Sequence, residues 1–240
     1  MAADRAILDA HEAGEAPPTV RLYRWARPTV SLGRFQPLSD VDADACLANG
    51  VDICRRPTGG RGVLHDDELT YSIVAGESDG LPQGVAASYR HLCSALIEAY
   101  EEIGIHAALT ARVRGRGGAG ACYLHATPAD LSIGAAKLSG SAQVWSRGSC
   151  LQHGSFVVSR HVEREAAVFR LGAGGAEALA ATTDTISSII GRAPNPRELL
   201  AAVTSGLERG LGVRLVAGTL TERESAQVAV SSPRYRFLCG

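Results

Sequence analysis

Lysine is almost missing from this chain. Of its 24 basic residues only Lys137 is a lysine; the rest are arginine. Codon bias accounts for most of that replacement, yet arginine cannot lose its proton in a protein and lysine can. One surviving amine is either an accident or a position where arginine fails. Charge of one sign is also lacking. Twenty-five acidic residues offset the basic ones, for a formal net charge of −1, so no polyanion-binding face is implied and nucleic acid is not an expected partner. No apolar run nears transmembrane length and no secretory signal is present, so no membrane is expected and a cytoplasmic location is. The six cysteines, Cys46, Cys54, Cys93, Cys122, Cys150 and Cys239, contain no CxxC pair and no metal-ligand spacing. That argues against a zinc site and leaves most of them as small buried hydrophobes, with one available as a nucleophile. An apolar content of 45% over 240 residues can build a sizeable core.

The stretch Arg55-Arg56-Pro57-Thr58-Gly59-Gly60-Arg61-Gly62-Val63-Leu64-His65-Asp66 dominates the sequence. Its glycines let a ligand approach the main chain, and its arginines offer forks of donors for carboxylate, carbonyl or phosphate oxygens. Taken alone it is equally a basic surface turn. Its flanks, Val51–Cys54 and Thr70–Val74, read as buried strands, and a loop pinned between strands is a good place for a ligand. His65 is either a satisfied structural residue or a ligand-facing one that Asp66 orients.

Elsewhere, Ala2 to Gly14 reads as a helix, Thr19 to Trp25 as a strand, and Thr29 to Gly33 as its continuation after Pro28. Asp40 to Asn49 is a short helix. Ser88 to Ile103 is the clearest one, with Tyr89, Leu92, Leu96, Tyr100 and Ile103 on one face. Ile105 to Leu109 is the next strand, and residues 113–120 form a low-complexity loop. Asn195-Pro196-Arg197-Glu198 starts a helix whose buried face carries Leu199, Leu200, Val203, Leu207 and Leu211. Thr221 to Val230 is a last short helix.

A second stretch runs from Cys122 through Lys137-Leu138-Ser139-Gly140-Ser141-Ala142-Gln143. Together with RRPTGGRGVLHDDELTYS it resembles the biotin/lipoate protein ligase superfamily, and within it the cysteine-dependent octanoyltransferases of lipoate assembly. The chain's one lysine falls on that family's key lysine, and Cys122, fifteen positions earlier, on its acyl-accepting cysteine. The resemblance implies an α/β (α+β) catalytic domain of mixed sheets flanked by helices, occupying residues 1–240 without an accessory C-terminal domain. It also implies a strand ahead of the first helix, which this sequence does not contain. The implied reaction uses no cofactor and no metal. An octanoyl group passes from acyl carrier protein to Cys122, then to a lysine of a lipoyl domain such as the glycine cleavage H protein. Implied substrate-binding positions are Arg55, Arg56, Thr58, Gly59, Gly60, His65, Ser139, Gly140, Ser141, Ala142 and His153.

The chemistry is physically coherent. Only a thiolate attacks, and a free cysteine has a pKa of roughly 8.5. An ammonium at about 4 Å attracts a thiolate by on the order of 4 kcal/mol at an effective dielectric near 20. Lysine could also move protons between leaving thiol and incoming amine. Leu138, Ala142, Val144 and Phe156 are expected to wall an aliphatic tunnel. Cys150 is read as structural. Three alternatives stay open: an ATP-dependent lipoate ligase, an amidotransferase between lipoyl domains, and a non-catalytic carrier-binding module.

Overall fold

A computed structural model describes residues 1–110 and 130–237. The element order is α1 (Ala2–Glu12), β1 (Thr19–Tyr23), β2 (Thr29–Leu32), α2 (Ala43–Ala48), β3 (Asp52–Arg55), β4 (Val63–His65), β5 (Glu68–Gly76) and α3 (Val85–Glu102). Then come β6 (Ala108–Leu109), β7 (Leu131–Ile133), β8 (Ala136–Ser139), β9 (Ser141–Ser146), β10 (Ser149–Val157), α4 (Val162–Val168), α5 (Gly175–Thr182), α6 (Ile186–Ile190), α7 (Pro196–Leu211), α8 (Glu222–Ser231) and β11 (Arg236–Phe237). The class is the expected mixture of sheets and helices.

The strands form three sheets. The first is antiparallel in the order β1-β5-β10-β9. The second runs β11-β3-β2-β4, with β2 and β3 parallel. The third, β6-β7-β8, is small and antiparallel. The expected continuation of β1 after Pro28 is therefore corrected: Thr29–Leu32 belongs to the second sheet. The glycine-rich loop is also shorter than its motif, because Val63–His65 is a strand.

Period-two alternation decides what each sheet presents. On β5, Leu69, Tyr71 and Ile73 join a large apolar core with Leu92, Leu96 and Tyr100 of α3. Cys150 and Phe156 of β10 join the same core. The opposite face carries Glu68, Thr70 and Ser72, all buried. In the second sheet Val30, Leu32, Ile53 and Leu64 pack with Val168 and Phe169. Helix α7 lies against α3 at close range: a Cβ on Gly206 would sit 2.3 Å from the Ala99 Cα, and one on Gly210 2.4 Å from the Ala95 Cα. Leu199, Val203 and Leu207 are buried as expected, whereas Leu200 is exposed because the stripe turns away from it. Among the described residues no helix is long and apolar enough to cross a membrane.

Candidate active site

Between the two larger sheets lies a cleft enclosing about 530 Å³, open mouth included. Ser31, Val63 and His65 face it from the second sheet; Thr70, His153 and Ser155 face it from the first. Arg56 and Gly60 close it from the glycine-rich loop, and Gly140, Ser141 and Ala142 from the start of β9. Seven of the motif positions thus meet on one cavity: Arg56, Gly60, His65, Gly140, Ser141, Ala142 and His153. Arg55, Thr58, Gly59, Ser139 and Lys137 are not on its wall.

The loop is held by its own arginines. Arg56 is buried and donates to the carbonyls of Ser31 (2.8 Å), Gly59 (2.8 Å) and Arg61 (2.7 Å). Arg55 donates to the carbonyls of Gly33 (2.8 Å) and Gln36 (2.6 Å). A loop without ladder partners leaves carbonyls to satisfy, and guanidinium forks do it here. The second strand pair admits the loop only through Gly33, whose added Cβ would meet the Gly60 carbonyl oxygen at 1.9 Å. Gly60 itself has φ +91°.

Two imidazoles brace the cavity, each between a hydroxyl and a carboxylate. His65 Nδ1 lies 2.7 Å from Glu68 Oε1 and Nε2 2.7 Å from the Ser31 hydroxyl. The carboxylate fixes Nδ1 as a donor. The expected orienting partner, Asp66, is instead engaged by Arg164 at 2.6 Å; His65 ends β4 and Glu68 begins β5, so the turn between them brings Glu68 to the imidazole. Glu68 Oε1 also accepts from Thr70 (2.5 Å) and Ser155 (2.7 Å). Burial alone would raise the Glu68 carboxyl, but the charge of His65 and the three hydrogen bonds outweigh it and hold the group below the ordinary carboxylate range. Trp25 stacks on His65 with ring centroids 4.5 Å apart and donates to Thr70 at 2.8 Å.

In the second chain of contacts, His153 Nε2 meets the Thr58 hydroxyl at 2.6 Å. Its Nδ1 faces Asp4 Oδ2 at 3.9 Å. Burial keeps His153 below the usual imidazole value, against the pull of Asp4. A neutral ring facing a carboxylate carries its proton on Nδ1, so Nε2 accepts from Thr58. Thr58, although off the cavity wall, thereby ties the loop to β10.

Lys137 lies behind the cavity. It is buried, and its Nζ is 3.0 Å from Asp130 Oδ2. Ser139 donates to the Ser155 carbonyl at 2.8 Å. Ser141 is pinned by the Tyr71 hydroxyl at 2.5 Å. The expected tunnel wall is corrected. Ala142 lines the cavity, but Leu138 and Phe156 project into the α3 core, and Val144 packs with Ile7 and Leu8. Alternation turns Leu138 and Phe156 away, while Val144 shares the face of Ala142 but lies further along β9, beside α1. Cys46, Cys54, Cys93 and Cys150 are buried thiols in no disulfide. Burial pushes Cys54 up to about 11 and Cys93 and Cys150 up to about 12; Cys150 is thus the structural residue expected. Cys122, the 113–120 loop and Cys239 lie outside the described residues.

Sequence reasoning missed Glu68, Thr70, Ser155, Asp4 and Asp130. The signal for several of them is the alternation of small hydroxyl residues with large apolar ones on β5 and β10.

The lipoyl protein ligase A/B catalytic domain family matches residues 1–208, and the chain belongs to that family. The octanoyltransferase LipM of Symbiobacterium thermophilum is 41% identical over 239 residues, covering 95% of this chain and 87% of its own. That of Kyrpidia tusciae is 37% identical, covering 95% and 88%. This likeness over nearly the whole length makes the protein an enzyme of the octanoyltransferase branch. In fold it is similar to a lipoate-protein ligase A solved with ATP (TM-score 0.81, 24% identity, 97% and 88% covered). A putative lipoate protein ligase of T. acidophilum with bound lipoic acid is similar too (TM-score 0.80, 23% identity, 97% and 88% covered).

Proposed function

We propose that this enzyme carries an octanoyl group from acyl carrier protein, through a thioester on Cys122, to a lysine of a lipoyl domain such as the glycine cleavage H protein. The observation that carries the reading is the 41% identity to an octanoyltransferase across 95% of the chain. In the first step the Cys122 sulfur bonds to the acyl carbon, the donor thioester C–S bond breaks, and the leaving thiolate takes a proton. In the second the target amine bonds to the acyl carbon, Cys122 leaves as thiolate, and the amine gives up a proton. Lys137 supplies the positive charge and the proton carrier. Backbone amides of the Gly59-Gly60 loop, or of the Lys137 strand, receive the oxyanion. No cofactor enters this scheme.

The cavity suits an alkyl chain despite its hydroxyls. Thr70 and Ser155 are committed to Glu68, and Ser31 to His65. A hydrocarbon laid against them strands no donor, so the desolvation penalty for unpaired polar groups is avoided. The buried cysteines, in no disulfide among the described residues, fit a reducing compartment, and we place the reaction in the cytoplasm.

Intact-protein mass after mixing with octanoyl carrier protein, without ATP, tests this. Wild type is expected to gain a hydroxylamine-labile octanoyl adduct, and Cys122→Ser none. Modification of a lipoyl domain only when ATP and free acid are added would make the enzyme a ligase.

A further inference from the structure

We propose that Asp130 is the positioning residue for Lys137, holding its amine charged and aimed at the cavity wall from behind Gly140. This deepens the reading above and rests on Lys137 acting in the reaction.

The pair is buried beside the cleft: Nζ to Oδ2 is 3.0 Å, with side-chain exposures of 2% and 5%. Asp130 stands immediately ahead of β7. Its carbonyl accepts from the Thr110 amide at 2.8 Å, and the register Ala108↔Ser132 and Leu109↔Leu131 holds the two chain segments together there. The carboxylate therefore sits on a closed base. Lys137 is fixed just as firmly from its own side, where its carbonyl accepts from the Asp184 amide at 3.0 Å. The Asp184 carboxylate is turned instead to Thr185 and Ser188.

Gly140 shows how near the pair comes to the cleft. A methyl there would lie 3.2 Å from Asp130 Oδ1 and 3.4 Å from Lys137 Nζ, and Gly140 is part of the cavity wall. The Gly140 backbone stands between the ion pair and the cavity.

The electrostatics define what the carboxylate does. An ammonium taken out of water without a partner sheds its proton, and a neutral amine has no charge to offer a thiolate. Among the described residues, Tyr89 and Cys93 of α3 also feel the Asp130 charge. Burial, with a contribution from Asp130, pushes Cys93 up to about 12 and Tyr89 well above the usual phenol range. Both stay neutral at working pH. Asp130, 3.0 Å from Nζ, supplies a counter-charge for the Lys137 ammonium.

The single lysine makes the test direct. Protein grown on lysine labelled at the side-chain nitrogen and adjacent carbon has one such signal, which follows Lys137 by NMR without reference to turnover. Asp130→Asn keeps the shape and removes the charge. It is expected to lower the titration midpoint of that signal, to move the alkaline limb of kcat/KM to lower pH by the same amount, and to cut kcat by about 10- to 100-fold with donor KM little changed. An unmoved midpoint would overturn the role of Asp130 and leave that of Lys137 intact. A lowered midpoint with an unchanged pH–rate profile would instead remove Lys137 from the reaction, and the proposal with it. If Asp130→Asn does not fold, Asp130→Glu keeps the charge but displaces it by one methylene; full kcat in that variant would overturn the positioning role.

Discussion

The two faces of the β1-β5-β10-β9 sheet are both buried and chemically opposite. Toward α3, Leu69, Tyr71, Ile73 and Phe156 make an apolar core. Toward the cleft, Glu68, Thr70, His153 and Ser155 make a hydrogen-bonded floor. An apolar core tolerates loss of shape badly but is indifferent to pH. A polar floor depends on every partner being present, and its central group titrates. The comparison teaches that equal burial does not mean equal sensitivity.

The largest stability effect should come from the apolar face. Phe156→Ala is expected to cost about 3–5 kcal/mol, and thermal unfolding would show it at every pH. On the other face Glu68→Gln removes a buried charge whose partners remain, at a cost on the order of 3 kcal/mol near neutral pH. Because the folded-state pKa of Glu68 is depressed, the wild-type advantage is present above the unfolded carboxyl value. It is lost as pH falls through the folded value. The gap between wild type and Glu68→Gln in denaturant midpoints should therefore shrink in acid; a gap constant with pH would break the distinction between the faces.

Glu165 sharpens it. Burial raises this carboxyl despite Arg160, whose Nη1 lies 2.8 Å away. Its sign is opposite: the ionised form costs stability, and the cost disappears as pH falls through the raised folded value. Relative to wild type, Glu165→Gln is expected to fare better at pH 8 than at pH 5, read by the same midpoints. Gly206→Ala probes the core side without touching polar groups. It forces α7 off α3 and should cost about 1–3 kcal/mol, with donor KM unchanged. The smallest effect is Thr58→Val, which removes one hydrogen bond to His153, about 1 kcal/mol; a rise in donor KM larger than its stability loss would show that the loop's tie to β10 serves binding.

Much of the site was legible as sequence. The glycine–arginine motif and the lysine motif converge on one cavity, and the capped helix at Asn195 begins at Pro196 as read, its cap accepting from the Arg197 amide at 2.9 Å. These are local signals, written in adjacent residues. What was misread involved pairing over distance. Phe156 and Leu138 were placed on the acyl tunnel because their motif is near the site, yet their strand parity turns them to α3. His65 was given Asp66 as a partner because it is adjacent, yet Glu68 reaches it.

The sequence by itself determined the family, the motifs and the helical faces, since each depends on residue type at short, regular spacing. Only the tertiary structure decided which of two buried faces is polar by design, that Arg56 serves the loop's own carbonyls and Arg55 those of the neighbouring 33–36 turn, and that Asp130 meets Lys137. Those outcomes turn on which strands lie side by side and on the register between them, and side chains seven or ninety residues apart meet only after that register is set.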